Sequence, residues 1–127
     1  MGLITEATPI SYNDDLPEQA DVVVIGGGVI GVSSALCLAE AGLTVALFEK
    51  GRVAGEQSSR NWGWIRQLGR DDAEMPIMIE ANRLWRGMAD RIGADVGFRA
   101  EGIIYLAENE AACAAQEVHL ATADRHR

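Results

Sequence analysis

Cysteine and aromatic residues are scarce in this sequence of 127 residues, which has 2 Cys and an aromatic fraction of 6%. Cys37 and Cys113 stand far apart and outside any Cys-x-x-Cys or Cys/His spacing, so neither a disulfide framework nor a zinc site is indicated. Each lies in an apolar helical pattern, where a reduced thiol in the core is the ordinary expectation. The sequence therefore favours a reducing compartment, and we expect a cytoplasmic protein.

Positive charge is also in short supply. The chain has 11 Lys and Arg residues against 19 Asp and Glu residues, which gives a formal net charge of -8. Surfaces that bind nucleic acids or anionic membranes need a basic patch to meet phosphate groups. The composition therefore predicts no nucleic-acid partner and no binding to an anionic membrane surface.

The apolar run at residues 22–39 reaches only the lower limit for a membrane-spanning helix. Three consecutive glycines and two serines interrupt it, and the residues before it are acidic where a signal peptide would be positively charged. We therefore expect neither a membrane span nor a targeting segment.

A linker rich in Pro, Gly or Ser that would separate two folded units is absent too. Hydrophobic residues make up 48% of the chain and charged residues 24%, which is typical of one modest globular domain. Residues 1–20 are polar, contain Pro9 and Pro17 and show no sustained period. They predict an extended N-terminal arm, and residues 21–127 are expected to form the folded part.

A strand, a glycine turn, a helix and a second strand follow one another at the start of this folded part. The β-branched run Val22–Ile25 is typical of a central strand buried on both faces. Helix-forming residues follow from Val29 to Ala41, with Gly42 as the residue after the helix end, and Thr44–Glu49 predicts the second strand. Such a unit has parallel strands and a right-handed crossover, so the predicted fold class is α/β with a Rossmann-like βαβ unit.

The next part of the chain combines a long loop with a helix. Residues 51–70 are rich in glycine and arginine without a clean period and predict a loop that serves a ligand or is mobile. Helical spacing of apolar residues continues from there to residue 92, with Asp71 or Asp72 as N-cap and Gly93 at the end. One helix of about five turns is expected.

Two further patterns complete the chain. The run Ile103–Ala107 after Gly102 has the character of a strand. Asn109 then opens an alanine-rich helical pattern that extends almost to Arg127. His119 and His126 lie in this pattern without acidic or Cys partners at ligand spacing, so we predict no metal site.

The glycine turn fits the dinucleotide-binding pattern G-x-G-x-x-G in the strand–turn–helix context that this pattern requires. Gly26 would allow the tight turn, Gly28 the approach of a pyrophosphate, and Gly31 the close packing of helix and strand. Glu49 ends the second strand, where its carboxylate can accept hydrogen bonds from ribose hydroxyls and disfavours a 2′-phosphate. Residues 21–127 are therefore expected to begin a FAD- or NAD(P)-binding domain of Rossmann type, although a purely structural glycine turn remains an alternative.

Together, GGGVIG at residues 26–31, Glu49 and GEQSSRNWGWIRQ at residues 55–67 resemble the D-amino-acid oxidase, glycine oxidase and sarcosine oxidase family of FAD-dependent amine oxidoreductases. The resemblance covers roughly residues 20–125. It implies the oxidation of the carbon–nitrogen bond of an amino acid or related amine by hydride transfer to flavin. It also implies a FAD-binding unit with the start of an interleaved substrate domain, apparently truncated to its N-terminal portion, because family members run to several hundred residues.

The resemblance also implies roles for individual residues. Gly26, Gly28 and Gly31 would hold the pyrophosphate and Glu49 the adenosine ribose. The flavin side would be lined by Ser58, Ser59, Asn61 and Gly63. Some relatives bind flavin covalently through a histidine in this loop; this loop has none, so we expect non-covalent FAD. Arg52 and Arg60 could meet a phosphate or a substrate carboxylate, and the catalytic residues remain unknown.

A single βαβ unit lacks most contacts to the flavin ring, so we expect the isolated chain to bind FAD weakly or not at all and to oxidise no amine. Measurable turnover by the 127-residue chain would contradict this expectation. Two alternatives stay open. One is a non-catalytic dinucleotide-binding module or small subunit whose sheet is completed by a partner chain or by self-association. The other is a NAD-dependent enzyme with the same glycine pattern.

Overall fold

A computed structural model describes residues 4, 5, 7–10, 12 and 14–126 of the chain. They form two compact units, one ending at Trp62 and the other beginning at Gly63. Within residues 4–20, the described positions contain neither helix nor strand. The boundary at residue 20 between an arm and a folded domain stays a prediction.

The first unit is built on the predicted βαβ arrangement. Strand β1 spans Val22–Ile25, helix α1 spans Val29–Glu40 and strand β2 spans Val45–Phe48. The two strands are parallel, with Val22 beside Val45 at one end. The predicted α/β class and parallel pairing are confirmed, and β2 is one residue shorter at each end than expected.

The amino ends of the two strands are joined by Asp21 and Thr44. The Asp21 carboxylate accepts hydrogen bonds from the Thr44 hydroxyl at 2.6 Å and from the Thr44 N–H at 2.8 Å. The Asp21 N–H in turn donates to the Thr44 carbonyl at 3.0 Å. The hydroxyl bond, followed by the backbone bond, lowers the pKa of Asp21 below its ordinary value. This side-chain pair fixes the register at the end of the sheet opposite the glycine turn.

One face of the small sheet is covered by α1, and the other is open. Side chains along β1 alternate, so that Val22 and Val24 are half-buried while Val23 is 57% exposed and Ile25 is 88% exposed. The expectation that this strand is buried on both faces is therefore wrong for the described chain. A parallel sheet normally carries helices on both faces, and here only one crossover helix is available to cover it.

The segment after β2 is not entirely a loop. Residues Gln57–Arg60 form one helical turn, α2, which the sequence pattern did not predict. The Glu56 carboxylate pairs with the Arg60 guanidinium across this turn. The Asn61 amide closes the turn by donating to the Ser58 carbonyl at 2.8 Å. Local side-chain bonds of this kind stabilise a helical turn that has no hydrophobic period.

The second unit contains three further α-helices: α3 at Met75–Arg86, α4 at Met88–Ile92 and α5 at Glu110–Arg125. Asp71 accepts a hydrogen bond from the Ala73 N–H at 3.0 Å, as an N-cap does, and a 3-10 turn at Asp72–Glu74 leads into α3. The helix predicted to run without interruption to residue 92 is broken at Gly87. Gly93, at φ 68°, ends α4 in the left-handed conformation, as predicted.

The predicted strand at Ile103–Ala107 does not form, since the described residues there have no regular secondary structure. A strand needs a neighbour for its hydrogen bonds, and the described part of the second unit offers none. The helix that follows is confirmed. The Asn109 side chain accepts from the Ala112 N–H at 2.9 Å and caps α5.

The end of α5 is tied to the beginning of the 3-10 turn within the second unit. The Asp72 carboxylate accepts from the Arg125 guanidinium at 2.8 Å and lies 3.1 Å from His126 Nε2. The Arg125 bond, followed by the His126 bond, lowers the pKa of Asp72. Asp72 and Arg125 are 53 residues apart in sequence, and their hydrogen bond holds the end of α5 to the 3-10 turn.

The expectation that the cysteines are core thiols is wrong. Cys37 on α1 and Cys113 on α5 are both exposed, and neither forms a disulfide. Both helices have apolar residues on more than one side, and too few neighbouring elements cover them in the described chain. Gly27 and Met75 are the buried residues among the described positions. No helix in the described ranges is both long and apolar enough to cross a membrane.

Gly87 and Gly93 offer a matched test of the helix break. Gly87 has φ -95°, and a Cβ there would meet only the Leu84 carbonyl oxygen at 3.9 Å, so alanine fits without strain. We expect Gly87→Ala to stabilise the chain by about 0.4–1 kcal/mol, because it restricts the unfolded chain. Gly93→Ala should destabilise it, since the left-handed position disfavours a side chain. Urea unfolding of both variants measures the two effects; a loss of stability in Gly87→Ala would contradict this interpretation.

Candidate functional site

The glycine turn joins β1 to α1 at a distance that only glycine permits. Gly26 has φ 107° and donates its N–H to the Phe48 carbonyl at 2.7 Å, so it turns the chain directly after β1 while still hydrogen-bonded to the end of β2. A Cβ on Gly31 would lie 1.9 Å from the Gly26 carbonyl oxygen. No side chain can occupy that position, so the first turn of α1 lies directly against the end of β1.

This packing leaves the amino end of α1 open to solvent. Gly28 is the N-cap residue and has no side chain, and the first hydrogen bond of the helix runs from the Val32 N–H to the Gly28 carbonyl at 2.9 Å. The N–H groups before Val32 therefore have no partner within the helix. No acidic residue lies in the first turn, and Ile30 is 80% exposed. A helix start of this kind attracts an anion through its free N–H groups and its dipole.

The Glu49 carboxylate lies beside the glycine turn and holds it in place. Its Oε2 accepts from the Gly27 N–H at 2.8 Å and its Oε1 from the Gly51 N–H at 2.8 Å. These backbone bonds, Gly27 first, lower the pKa of Glu49 below its ordinary value. An ionised carboxylate has about four acceptor positions, so these two bonds leave capacity for ribose hydroxyls.

Three contributors to this arrangement were missed by the sequence reasoning: Gly27, Gly51 and Ala54. A Cβ on Gly27 would lie 3.0 Å from the Cβ of Glu49, which explains why the variable position of the motif is also a glycine. Three glycines in a row, where the motif requires two in that triplet, were a signal for this contact. No comparable signal marks Ala54, which has φ 60°, an unusual value for a residue other than glycine.

Ala54 is held in that conformation from two sides. Its N–H donates to the Gly27 carbonyl at 2.8 Å, and its carbonyl accepts from the Ser59 hydroxyl. The chain after β2 is thereby folded back onto the glycine turn. Because both bonds use the backbone of Ala54, this alignment is independent of its side chain.

The four residues predicted for the flavin side fall in different places. The Ser58 hydroxyl accepts from the Val29 N–H at 2.8 Å, so Ser58 lies at the amino end of α1 beside the glycine turn. Ser59 and Asn61 stabilise the local fold through Ala54 and through α2. Gly63, at φ 70°, is the first residue of the second unit. Their contacts with a cofactor stay predictions.

The two arginines suggested for anion binding make other contacts. Arg52 donates from Nε to the Thr8 carbonyl, and Arg60 pairs with Glu56. Among the described residues, no group of three or more His, Cys, Asp or Glu side chains is placed to hold a metal ion. The arrangement at the turn thus provides backbone donors for an anion and one carboxylate for hydroxyl groups.

The comparison with protein families agrees with this geometry. A family model described as "DAO: FAD dependent oxidoreductase" matches residues 21–127. The chain belongs to this family of FAD-dependent oxidoreductases. The predicted resemblance is confirmed.

Two curated enzymes illustrate how similar the chain is to individual relatives. Gamma-glutamylputrescine oxidoreductase of Escherichia coli (strain K12) is 35% identical over 104 residues, which cover 71% of this chain and 24% of that protein. Glycine oxidase of Geobacillus kaustophilus (strain HTA426) is 32% identical over 102 residues, which cover 75% of this chain and 27% of that protein. The chain thus spans about a quarter of the length of these relatives.

A solved structure supports the fold. The structure of L-amino acid deaminase from Proteus myxofaciens in complex with anthranilate superposes with a TM-score of 0.84 at 38% identity. The match covers 91% of this chain and 26% of the deaminase chain. The α/β fold of this chain is therefore similar to that of a part of this L-amino acid deaminase.

The residues at the turn fit the diphosphate part of FAD. A Cβ on Gly28 would lie 3.2 Å from the Ser58 hydroxyl oxygen, so a side chain at this position would fill the space beside the first N–H groups of α1. Glycine keeps that space open at the place where the helix dipole favours negative charge. The site would offer donors to a phosphate and an acceptor to a ribose, which are the groups that a dinucleotide requires.

Glu49→Gln is expected to destabilise the chain near neutral pH. The amide keeps one acceptor oxygen but presents an NH₂ group to one of the two backbone N–H groups that Glu49 holds. Since the folded-state pKa of Glu49 is lowered, its stabilising effect is present above the unfolded pKa of about 4.3 and is lost as the pH falls through the folded value.

The midpoint of thermal unfolding, compared with the unaltered chain at about pH 7 and about pH 3, measures this difference. The midpoint of Glu49→Gln should be several degrees lower than that of the unaltered chain near neutrality, and this difference should shrink in acid. Glu117→Gln on the exposed side of α5 is the control and should change little at either pH. An equal loss for Glu49→Gln at both pH values would contradict the role of the ionised carboxylate.

Proposed function

We propose that this chain is the FAD-binding part of an oxidoreductase that oxidises the carbon–nitrogen bond of an amino acid or a related amine. The observation that carries the proposal is the glycine turn. A Cβ on Gly31 would lie only 1.9 Å from the Gly26 carbonyl oxygen, so the absence of a side chain there lets the amino end of α1 lie against β1. The absence of a side chain at Gly28 keeps the space beside the first N–H groups of α1 open to a diphosphate. Family membership supports FAD over other dinucleotides.

Different residues of the first unit would bind different parts of the cofactor. Gly26 shapes the turn, Gly28 and Gly31 admit the diphosphate to the start of α1, and Glu49 accepts from the adenosine ribose. The Ser58 hydroxyl oxygen accepts from the Val29 N–H at the helix start, and its own O–H would be free to donate to a phosphate oxygen. Ser59 and Asn61 would belong to the flavin side. The loop 51–70 has no histidine, in keeping with non-covalent binding.

The names of the relatives support the proposed substrate class. Their names include a glycine oxidase and an L-amino acid deaminase, both of which act on amino acids. When bound, the flavin supplies the hydride acceptor, so that no protein nucleophile is required. The residues that select and orient the substrate are not assigned, because this chain spans 24% and 27% of the two curated relatives described above. Location in the cytoplasm likewise stays a prediction.

A titration that compares FAD with FMN tests the cofactor proposal. FAD carries the diphosphate and adenosine that the glycine turn and Glu49 would hold, whereas FMN lacks the adenosine half. We expect the chain to bind FAD weakly and FMN more weakly still, measured by flavin fluorescence anisotropy. Gly28→Ala should reduce the affinity for FAD by about tenfold, equivalent to about 1.4 kcal/mol.

Gly87→Ala is the control for this titration, since Gly87 lies in the second unit and its substitution adds a methyl group without crowding. It should leave the affinity for FAD unchanged. Equal affinities for FAD and FMN, or no response to Gly28→Ala, would contradict the assignment of the glycine turn to the diphosphate.

A second candidate is a non-catalytic module whose sheet is completed by another copy of the chain. In the described chain the sheet has two strands, so each has one edge without a neighbouring strand, and Ile25 on the open face is 88% exposed; both features favour this candidate. In that case light scattering should show a mass that increases with concentration, and Ile25→Thr should weaken this association. Ile104→Thr, at an equally exposed position of the second unit, is the matched control. A monomer at all concentrations would eliminate self-association.

A further inference from the structure

A broad cleft lies beside Glu49 within the first unit. Its volume is about 890 Å³, within the range of about 300–1,000 Å³ that is typical of small-molecule sites. One wall is formed by β2 and the segment that follows it, and includes Glu49 and Arg52. The other wall is formed by residues 4, 8–10, 12 and 14–17 of the N-terminal arm, for which the sequence patterns gave no role.

The arm is connected to the opposite wall by Arg52. Its Nε donates to the Thr8 carbonyl across 44 residues of sequence. Thr8 is itself fixed by a local turn, in which its N–H donates to the Thr5 carbonyl at 2.9 Å and its hydroxyl accepts from the Thr5 N–H at 3.0 Å. A guanidinium bond to a carbonyl that is fixed in this way sets the position of the arm relative to β2. Arg52 thus has a role other than the anion contact considered from the sequence.

The arm brings apolar and acidic side chains to the cleft. Ile10, Tyr12 and Leu16 line it and are 58%, 71% and 77% exposed, so their apolar surface is available to a ligand. Asp14 and Asp15 line it as well. An apolar wall suits a flat heterocycle, and carboxylates accept from its amino groups, whereas the same carboxylates disfavour a phosphate. The cleft therefore suits a nucleobase, with the phosphates placed outside it.

We propose that the arm forms the outer wall of a pocket for the adenosine half of an adenine dinucleotide, and that Arg52 positions this wall. This inference rests on the proposed function, since the glycine turn would hold the diphosphate and Glu49 the ribose. Glu49 lines the cleft and contacts the turn through Gly27, so it connects the two. The base would lie between the segment after β2 and the described arm residues 8–10, 12 and 14–17. Arg52 is a positioning residue here, because it acts through the arm.

A nuclear magnetic resonance titration of the ¹⁵N-labelled 127-residue chain with ADP tests the pocket, since weak binding is still visible as shifts of amide signals. ADP should shift the signals of residues 26–31 and those of Thr8, Ile10 and Tyr12. FMN, which has a phosphate but no adenosine, should leave the arm signals in place.

Arg52→Ala should abolish the response of the arm to ADP while the response of the glycine turn persists. The apparent affinity for ADP should fall about three- to tenfold, as expected for the loss of one positioning bond. Arg52→Lys, which keeps a cationic donor, should restore part of the arm response. Arg86→Ala, an exposed arginine of α3 in the second unit, is the control and should behave as the unaltered chain.

The outcomes distinguish a failure of the proposed role of the arm from a failure of the proposed function on which it rests. If ADP shifts only the glycine turn, the arm is not part of the pocket and the proposed function stands. If ADP shifts neither region, both are overturned. If the arm responds to ADP equally in the unaltered chain and in Arg52→Ala, the positioning role of Arg52 is wrong.

Discussion

The contact between the start of α1 and the end of β1 determines the rest of the first unit. With 1.9 Å between the Gly26 carbonyl oxygen and an ideal Cβ on Gly31, the helix can lie there only if position 31 has no side chain. That approach directs the free N–H groups of the first helical turn towards the carboxyl edge of the sheet. It also brings the Gly27 N–H within 2.8 Å of the Glu49 carboxylate, so one steric condition assembles both the open start of α1 and the carboxylate beside it.

Under the proposed function, this arrangement would let an acidic chain bind a doubly charged diphosphate. The net charge of -8 would oppose such a ligand if binding relied on the overall field. The donors at the glycine turn are backbone N–H groups at the positive end of a helix dipole, and their effect is confined to the first turn. The nearest acid, Glu49, directs its two carboxylate oxygens at Gly27 and Gly51. Local dipoles therefore decide the chemistry of the site despite the charge of the whole chain.

Features that depend on neighbouring residues in sequence were predictable, and features that depend on missing or distant neighbours were not. The βαβ unit, the end of α4 at Gly93 and the Asn109 cap follow from residue types whose preferences are local. The expected strand at Ile103–Ala107 failed because strand formation requires a pairing partner. The break at Gly87 was missed because the apolar period continues through it, although a glycine weakens a helix at any interior position.

In the candidate site, too, the residues placed by local sequence were predictable and a residue placed by distant contacts was not. The G-x-G-x-x-G spacing identified Gly26, Gly28 and Gly31, whose positions are set by the strand and helix next to them. Ala54 was not identifiable, because its positive φ is imposed by hydrogen bonds from Ser59 and to Gly27 rather than by its own preference.

The sequence pattern predicts one role for Glu49, as an acceptor for ribose. The structure adds a second role, in the shape of the glycine turn. In the folded chain its carboxylate accepts from two backbone N–H groups, so the residue is needed for the shape of the glycine turn before any ligand arrives. A ribose that also bonded to Glu49 would share an acceptor whose orientation is already fixed, and little side-chain freedom would be lost on binding. An aspartate or a neutral residue at this position would therefore alter the turn and the ribose contact together. The carboxylate at the end of β2 is thus a requirement of the fold of the glycine turn itself.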